Sequence, residues 1–162
     1  MPKELTRQML KEMGIYSIDW DESSQQWWVD RYWFKCGKVK EKTHIHLKVS
    51  LVKREHKYAP TKEYYAVGFC YENRSQVIPL NRLVWAWFND IVPQGYDVDH
   101  IDNDPLNNRL ENLQLLTREQ NLAKRYIDNP SASKNQYDYC KKHGIKLWEE
   151  KVRLIVRCSK WL

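Results

Sequence analysis

The segment from Asp97 to Asn121 dictates more about the fold of this chain than any other. Tyr96 to Ile101 reads as a strand. The next seven residues, Asp102 to Asn108, contain five Asp or Asn and one Pro. Asp and Asn side chains bond to nearby backbone and so favour ordered turns over helix or sheet. Leu113 to Leu116 forms a second, shorter strand. Thr117 followed three residues later by Gln120 makes a capping box, so a helix starts there. Asn121 then falls in the first turn of that helix. The expected unit is a β-hairpin with a helix packed on it.

Upstream, Glu4 to Met13 has Leu5, Met9, Leu10 and Met13 at helical spacing, with Gly14 as the stop. From Tyr16 the period changes. Tyr16–Trp20 and Trp27–Phe34 look like two strands around the polar turn Asp21-Glu22-Ser23-Ser24, and Cys36-Gly37-Lys38 marks another turn. His44 to Val52 alternates, with Ile45, Leu47, Val49 and Leu51 against His44, His46, Lys48 and Ser50, as one amphipathic strand would. Glu63–Tyr71 and Gln76–Leu80 suggest a hairpin around Glu72-Asn73-Arg74. Leu83, Val84, Trp87 and Phe88 fall at helical spacing within Asn81–Asn89, a short, largely buried helix, and Pro93-Gln94-Gly95 is a turn. Beyond the loop at Asn129–Ser133, Lys134–His143 reads as a helix capped by Gly144.

Charge narrows the partner. Lys and Arg total 27 against 21 Asp and Glu, a formal net charge of +6. Between Arg31 and Lys62 there are ten Lys or Arg and two acids, Glu41 and Glu55. Such a balance favours a polyanion: nucleic acid first, an acidic membrane surface second. A charge run is also what a solvated sheet face presents. The eight Trp and ten Tyr can fill a core or stack on bases. For Trp27, Trp28, Tyr32 and Trp33 the core reading is favoured, because alternate residues of a strand must bury.

No stretch is apolar enough to span a bilayer, and Met1-Pro2-Lys3-Glu4 lacks the apolar core of a signal peptide. The expectation is an intracellular protein whose four cysteines, Cys36, Cys70, Cys140 and Cys158, are reduced thiols. Cys140 and His143, with Cys158 as a third ligand, have donor chemistry for zinc. They lack a CxxC pair and a fourth ligand, so a structural zinc protein is not preferred. His44 and His46 share a strand face and read as outward polar residues.

Chemistry concentrates at Asp99-His100. The carboxylate of Asp99 and the amide oxygen of Asn121 suit a hard divalent cation such as Mg²⁺. A neutral imidazole beside a metal can deprotonate water, as phosphodiester hydrolysis requires. Adjacent strand residues point to opposite faces, so Asp99 and His100 can share a site only if the strand ends or twists there. Lys124 and Arg125, one turn beyond Asn121, can bind phosphates or simply complement the helix dipole.

The stretch Asp-His-Ile-Asp at Asp99–Asp102, the Asn-Asn-Arg-Leu-Glu-Asn-Leu run at Asn107–Leu113 and the Thr117–Asn121 segment resemble the HNH endonucleases of the ββα-metal fold. The resemblance is strongest to the phage and intron homing subgroup with a closing Asn. Arg82-Leu83-Val84 with Trp87-Phe88 looks like the helix that precedes this motif. The match covers Leu80 to Arg125. It implies that His100 is the general base, that Asp99 and Asn121 hold one divalent cation (Mg²⁺, or Mn²⁺), and that Asn112 is the middle Asn, fixing the loop and orienting His100. The family often has a Gly-containing turn where this chain has Asn103-Asp104. Both residue types tolerate left-handed backbone angles.

The resulting expectation is an α+β protein in three parts. Residues 1–80 would be a β-rich DNA-binding region, 81–126 the ββα-metal (HNH) nuclease unit and 127–162 a C-terminal helical extension. Lys35, Lys38, Lys40, Arg109, Lys124 and Arg125 are candidate contacts to double-stranded DNA. No membrane partner is expected, a monomer is favoured, and the compartment is the cytoplasm of a cell hosting a phage or mobile element. The competing reading is a DNA-binding protein with an inactive HNH unit. The joint presence of Asp99, His100 and Asn121 argues against it.

Overall fold

The structure, a computed structural model, describes residues 3–32, 44–56, 59–121 and 124. The chain divides into two compact units, Met1–Leu115 and Leu116–Leu162. Among the described residues strands dominate over helices, in an α+β arrangement.

The first unit begins with β1 (Leu5–Thr6) and α1 (Arg7–Glu12). The helix expected over Glu4–Met13 is therefore shorter. Leu5 is buried and pairs with Val92 of β8 (Ile91–Val92), which holds it extended. Thr6 then caps the helix, its Oγ1 accepting the Met9 N–H at 3.1 Å. Gly14 ends it at φ 89°, a left-handed conformation that glycine adopts without strain.

Next comes a meander of β2 (Ile15–Asp21), β3 (Gln26–Tyr32) and β4 (His44–Leu47), in that order. The β2–β3 turn is fixed by Asp21, whose carboxylate accepts from Ser23 N, Ser23 Oγ and Ser24 Oγ. Those bonds, Ser24 and Ser23 first, hold its pKa well below the usual carboxylate range. A second meander joins β5 (Val49–His56), β6 (Ala59–Tyr71) and β7 (Arg74–Pro79). Its β6–β7 turn is the expected one: Glu72 and Asn73 have φ of 49° and 60°, the pair of positive angles that a two-residue hairpin of this twist needs.

The alternating run His44–Val52 is divided between β4 and β5, which lie in different sheets. Alternation specifies which face is buried. It does not specify the pairing partner, and here the partner changes from β3 to β6 at Lys48. The parity is unbroken: Leu47 and Val49 both pack against the core.

α2 (Leu80–Asn89) is the central element. Leu80, Leu83, Val84 and Ala86 are at most 2% exposed. They pack into one cluster with Leu10, Ile15, Ile18, Val29, Val67 and Val92. Trp87 only flanks this cluster and Phe88 is exposed, so the buried stripe lies one turn earlier than the sequence pattern implied. Trp27 belongs to the core, whereas Trp28 is exposed. After the turn at Pro93–Gly95, β9 (Tyr96–His100) pairs with β10 (Leu113–Thr117). Val98 and Leu113 insert into the common cluster, which ties the loop between them to the rigid part of the unit. Cys70 is a free, exposed thiol. Cys36, Cys140, Cys158, His143, Trp33 and the helix expected at 134–143 lie outside the described residues. Among the described residues no helix is long and apolar enough to cross a membrane.

Candidate active site

β9 and β10 run in opposite directions: the Ile101 N–H donates to Asn112 O at 2.8 Å, and Gln114 meets Asp99 two positions on. From α2, Asn81 Nδ2 donates to Val98 O at 2.7 Å, which fixes the strand just before the site. The connection between the strands is built from side-chain-to-backbone bonds, as its composition demanded. Asp102 Oδ1 accepts the Asp104 N–H and Asp104 Oδ1 accepts the Leu106 N–H, each at 2.9 Å. These are two successive Asx turns. Asn103 sits between them at φ 64°, in the left-handed region that Asn tolerates better than most residues.

Asn112 clamps this loop from both sides. Its Oδ1 accepts the Asp102 N–H at 3.2 Å, and its Nδ2 donates to Asp102 Oδ1 at 2.9 Å and to Asn107 O at 2.8 Å. Asn107 Nδ2 adds a bond to Asp102 Oδ2 at 2.7 Å. Burial pushes the Asp102 carboxyl up, but the bonds from Asn112, the Asp104 N–H and Asn107, with the His100 charge, outweigh it. Its pKa ends below the ordinary carboxylate range, so the group is more acidic than a free carboxyl.

Asp99 and His100 stand half-buried at the end of β9. The strand stops at His100, which is the condition for two adjacent side chains to serve one site. Asp99 Oδ2 accepts from Gln114 Nε2 at 2.9 Å. His100 Nε2 lies 3.1 Å from Oδ1 of Asn108, a residue only 4% exposed. The arrangement presents a carboxylate and an imidazole on a loop whose backbone is locked on both flanks.

Residues 79–123 match the HNH endonuclease family. The match starts at the end of β7 and takes in α2, the β9–β10 loop and the start of the following helix. Within the curated relatives, protein 3.8 of Escherichia phage T7 is 47% identical over 38 residues, covering 24% of this chain and 31% of that protein. No solved structure gives a significant match.

The HNH segment carries every residue of the motif that the sequence singled out. Thr117 and Gln120 cap each other reciprocally, Thr117 N–H to Gln120 Oε1 at 2.8 Å and Gln120 N–H to Thr117 Oγ1 at 3.2 Å. Asn121 lies in the first turn of the helix they start, in the second unit, and Lys124 is helical and half-buried. Arg109 is engaged within the fold. Its guanidinium bonds Gln25 Oε1 at 3.1 Å, pairs with Glu22 at 3.3 Å and Glu111 at 3.6 Å, and lies over the Trp20 ring. It pins the loop to the β2–β3 turn. Lys35, Lys38, Lys40 and Arg125 lie outside the described residues.

Three participants were not legible as such in the sequence. Asn108 resembles any loop asparagine until Trp27, 81 positions away, is seen donating to its carbonyl at 3.0 Å. Asp102 was read as part of a polar turn and of the Asp-His-Ile-Asp run, yet its carboxylate ties together Asp104, Asn107 and Asn112. Gln114 could have been found, because β alternation places it on the same face as its cross-strand neighbour Asp99. The donors of the HNH segment fit a hard cation: carboxylate and amide oxygens, with no thiolate. Among the described residues no group of three or more His, Cys, Asp or Glu side chains forms a metal cluster.

Proposed function

We propose that this chain is a divalent-metal-dependent endonuclease that hydrolyses phosphodiester bonds of duplex DNA, nicking or cutting it to leave a 5′ phosphate and a 3′ hydroxyl. The observation that carries the reading is the locked loop of the HNH segment, which holds Asp99 and His100 at the end of a strand anchored in the core. His100 accepts a proton from the attacking water. Asp99 would hold the cation together with Asn121, the latter on the strength of motif order. When bound, Mg²⁺ (or Mn²⁺) would supply charge for the scissile phosphate and for the leaving 3′ oxygen. Asn112 keeps the loop closed around this site. We take it to act as a monomer, in the manner of homing enzymes, in a phage-infected or element-bearing cell; the phage source of the similar protein supports only the phage setting.

The test is incubation of supercoiled plasmid and candidate target DNA with Mg²⁺, with and without chelator. Relaxed or linear product is expected with Mg²⁺ and none with chelator. Binding without any cutting would leave the alternative, a DNA-binding protein with a silent HNH unit.

Charge on the sheets supports a particular docking side. The outer face of β2–β4 carries Asp19, Asp21 and Asp30 beside Trp28, and no Lys or Arg among its described residues. Up to Arg54, the outer face of β5–β7 carries no Asp or Glu among its described residues. There Arg54 and Lys62 stand directly opposite each other and exposed, while on the inner face the next pair, Lys53–Glu63, is a salt bridge of 2.6 Å. Like charges facing across a ladder destabilise it, and a phosphate backbone would relieve that repulsion. Arg54→Glu should then act in opposite directions. Fold stability should rise by a few tenths of a kcal/mol as Lys62 gains a partner. DNA binding should weaken, with the slope of log K against log salt falling by about one. Thermal unfolding and binding titrations at several salt concentrations read both. An unchanged salt slope would remove this face from the DNA interface.

A further inference from the structure

We infer that Asn108 is a positioning residue for His100, fixing which ring nitrogen carries the proton and so making Nδ1 the atom that accepts one. The argument begins with the amide itself. Asn108 Nδ2 lies 3.0 Å from Leu106 O and 3.4 Å from Pro105 O. Carbonyl oxygens only accept, so the amide nitrogen must occupy that side and the two bonds fix the orientation of the group. Its oxygen therefore faces His100 Nε2, at 3.1 Å. An amide oxygen also only accepts, so Nε2 must be the donor. Neutral imidazole has one N–H. With that proton on Nε2, the lone pair resides on Nδ1.

The surroundings make this a stiff support. Asn108 is 4% exposed, one of two polar or charged side chains buried to that degree among the described residues, the other being Arg31. Its backbone carbonyl accepts from Trp27 Nε1 at 3.0 Å, and Trp27 is itself 7% exposed in the core. The chain of contacts thus runs from the hydrophobic cluster through Trp27 to Asn108 and on to the imidazole. Asn112 shapes the loop backbone through Asp102 and Asn107, whereas Asn108 touches the ring.

The catalytic consequence rests on the nuclease reading; the tautomer does not. The decisive measurement is the ¹⁵N spectrum of the His100 ring in the wild-type protein, with the neutral ring observed through its long-range couplings to the ring protons. A pyrrole-like Nε2 and a pyridine-like Nδ1 are expected. A pyrrole-like Nδ1, or two averaged nitrogens, overturns the proposal without any variant having to fold. Asn108→Leu should move both nitrogens toward averaged positions and slow plasmid cleavage at saturating DNA about tenfold, at the low end of what losing a partner that orients an active imidazole costs. DNA affinity should stay the same. Cleavage at the wild-type rate by a folded Asn108→Leu protein also overturns it. If the wild-type ring is protonated at Nε2 and the protein cuts no DNA, the nuclease reading fails while the assignment of Asn108 stands.

Discussion

His100→Ala should lower the rate of Mg²⁺-dependent plasmid cleavage by about 10²- to 10⁴-fold, the usual contribution of a positioned general base. The imidazole is the group at the end of β9 able to take a proton from water near neutral pH. It is held half-buried by the Asn108 amide. Alanine removes the proton acceptor but leaves the loop, since the bonds that close the loop run through Asp102, Asp104, Asn107 and Asn112. DNA affinity and the unfolding midpoint should therefore remain close to those of the wild type, and single-turnover cleavage on a fixed substrate measures the loss. A variant that cuts like the wild type would show that the proton goes elsewhere.

The degree to which this site could be read from sequence depended on the range of the forces involved. Local devices were legible. The Thr117–Gln120 capping box, the Glu72-Asn73 hairpin turn, the Gly14 stop and the left-handed Asn103 each depend on residues within a few positions, and each formed. The Asp/Asn-rich turn announced its own hydrogen bonding. What failed to show was whatever depends on a distant partner. Leu5 became a strand because Val92 lies beside it. The His44–Val52 alternation gave parity but not the change of sheet at Lys48. That Arg109 meets Glu22 and Gln25 could not be read from the sequence, because both come from a distant turn. Asn108 looked like loop filling for the same reason, since its importance comes from Trp27 on one side and His100 on the other.

Asn112→Ala should be the most damaging change in the loop that leaves the imidazole in place. It deletes an acceptor for the Asp102 N–H and two donors, to the Asp102 carboxylate and to Asn107 O. The backbone bond from Ile101 N–H to Asn112 O survives, so β9 and β10 stay paired. A cost of about 1–2 kcal/mol is expected, since one of the lost bonds is to a charged group and the pair is exposed to water. The rate should fall more steeply, roughly 10- to 100-fold, because a slackened loop misplaces the end of β9 and its side chains. Acidity separates this cause from a general loosening. Although burial raises it, the Asp102 carboxyl is lowered overall by Asn112, Asp104, Asn107 and His100. A carboxyl more acidic when folded contributes stability above its unfolded pKa and loses it as the pH falls through the folded one. Replacing Asn112 removes part of that contribution at neutral pH and has less left to remove once Asp102 is protonated. Urea unfolding at pH 7 and at a pH of about 3 should show the gap between wild type and Asn112→Ala narrowing with acid. An equal gap at both would mean that the Asp102–Asn112 bond is not what holds the loop.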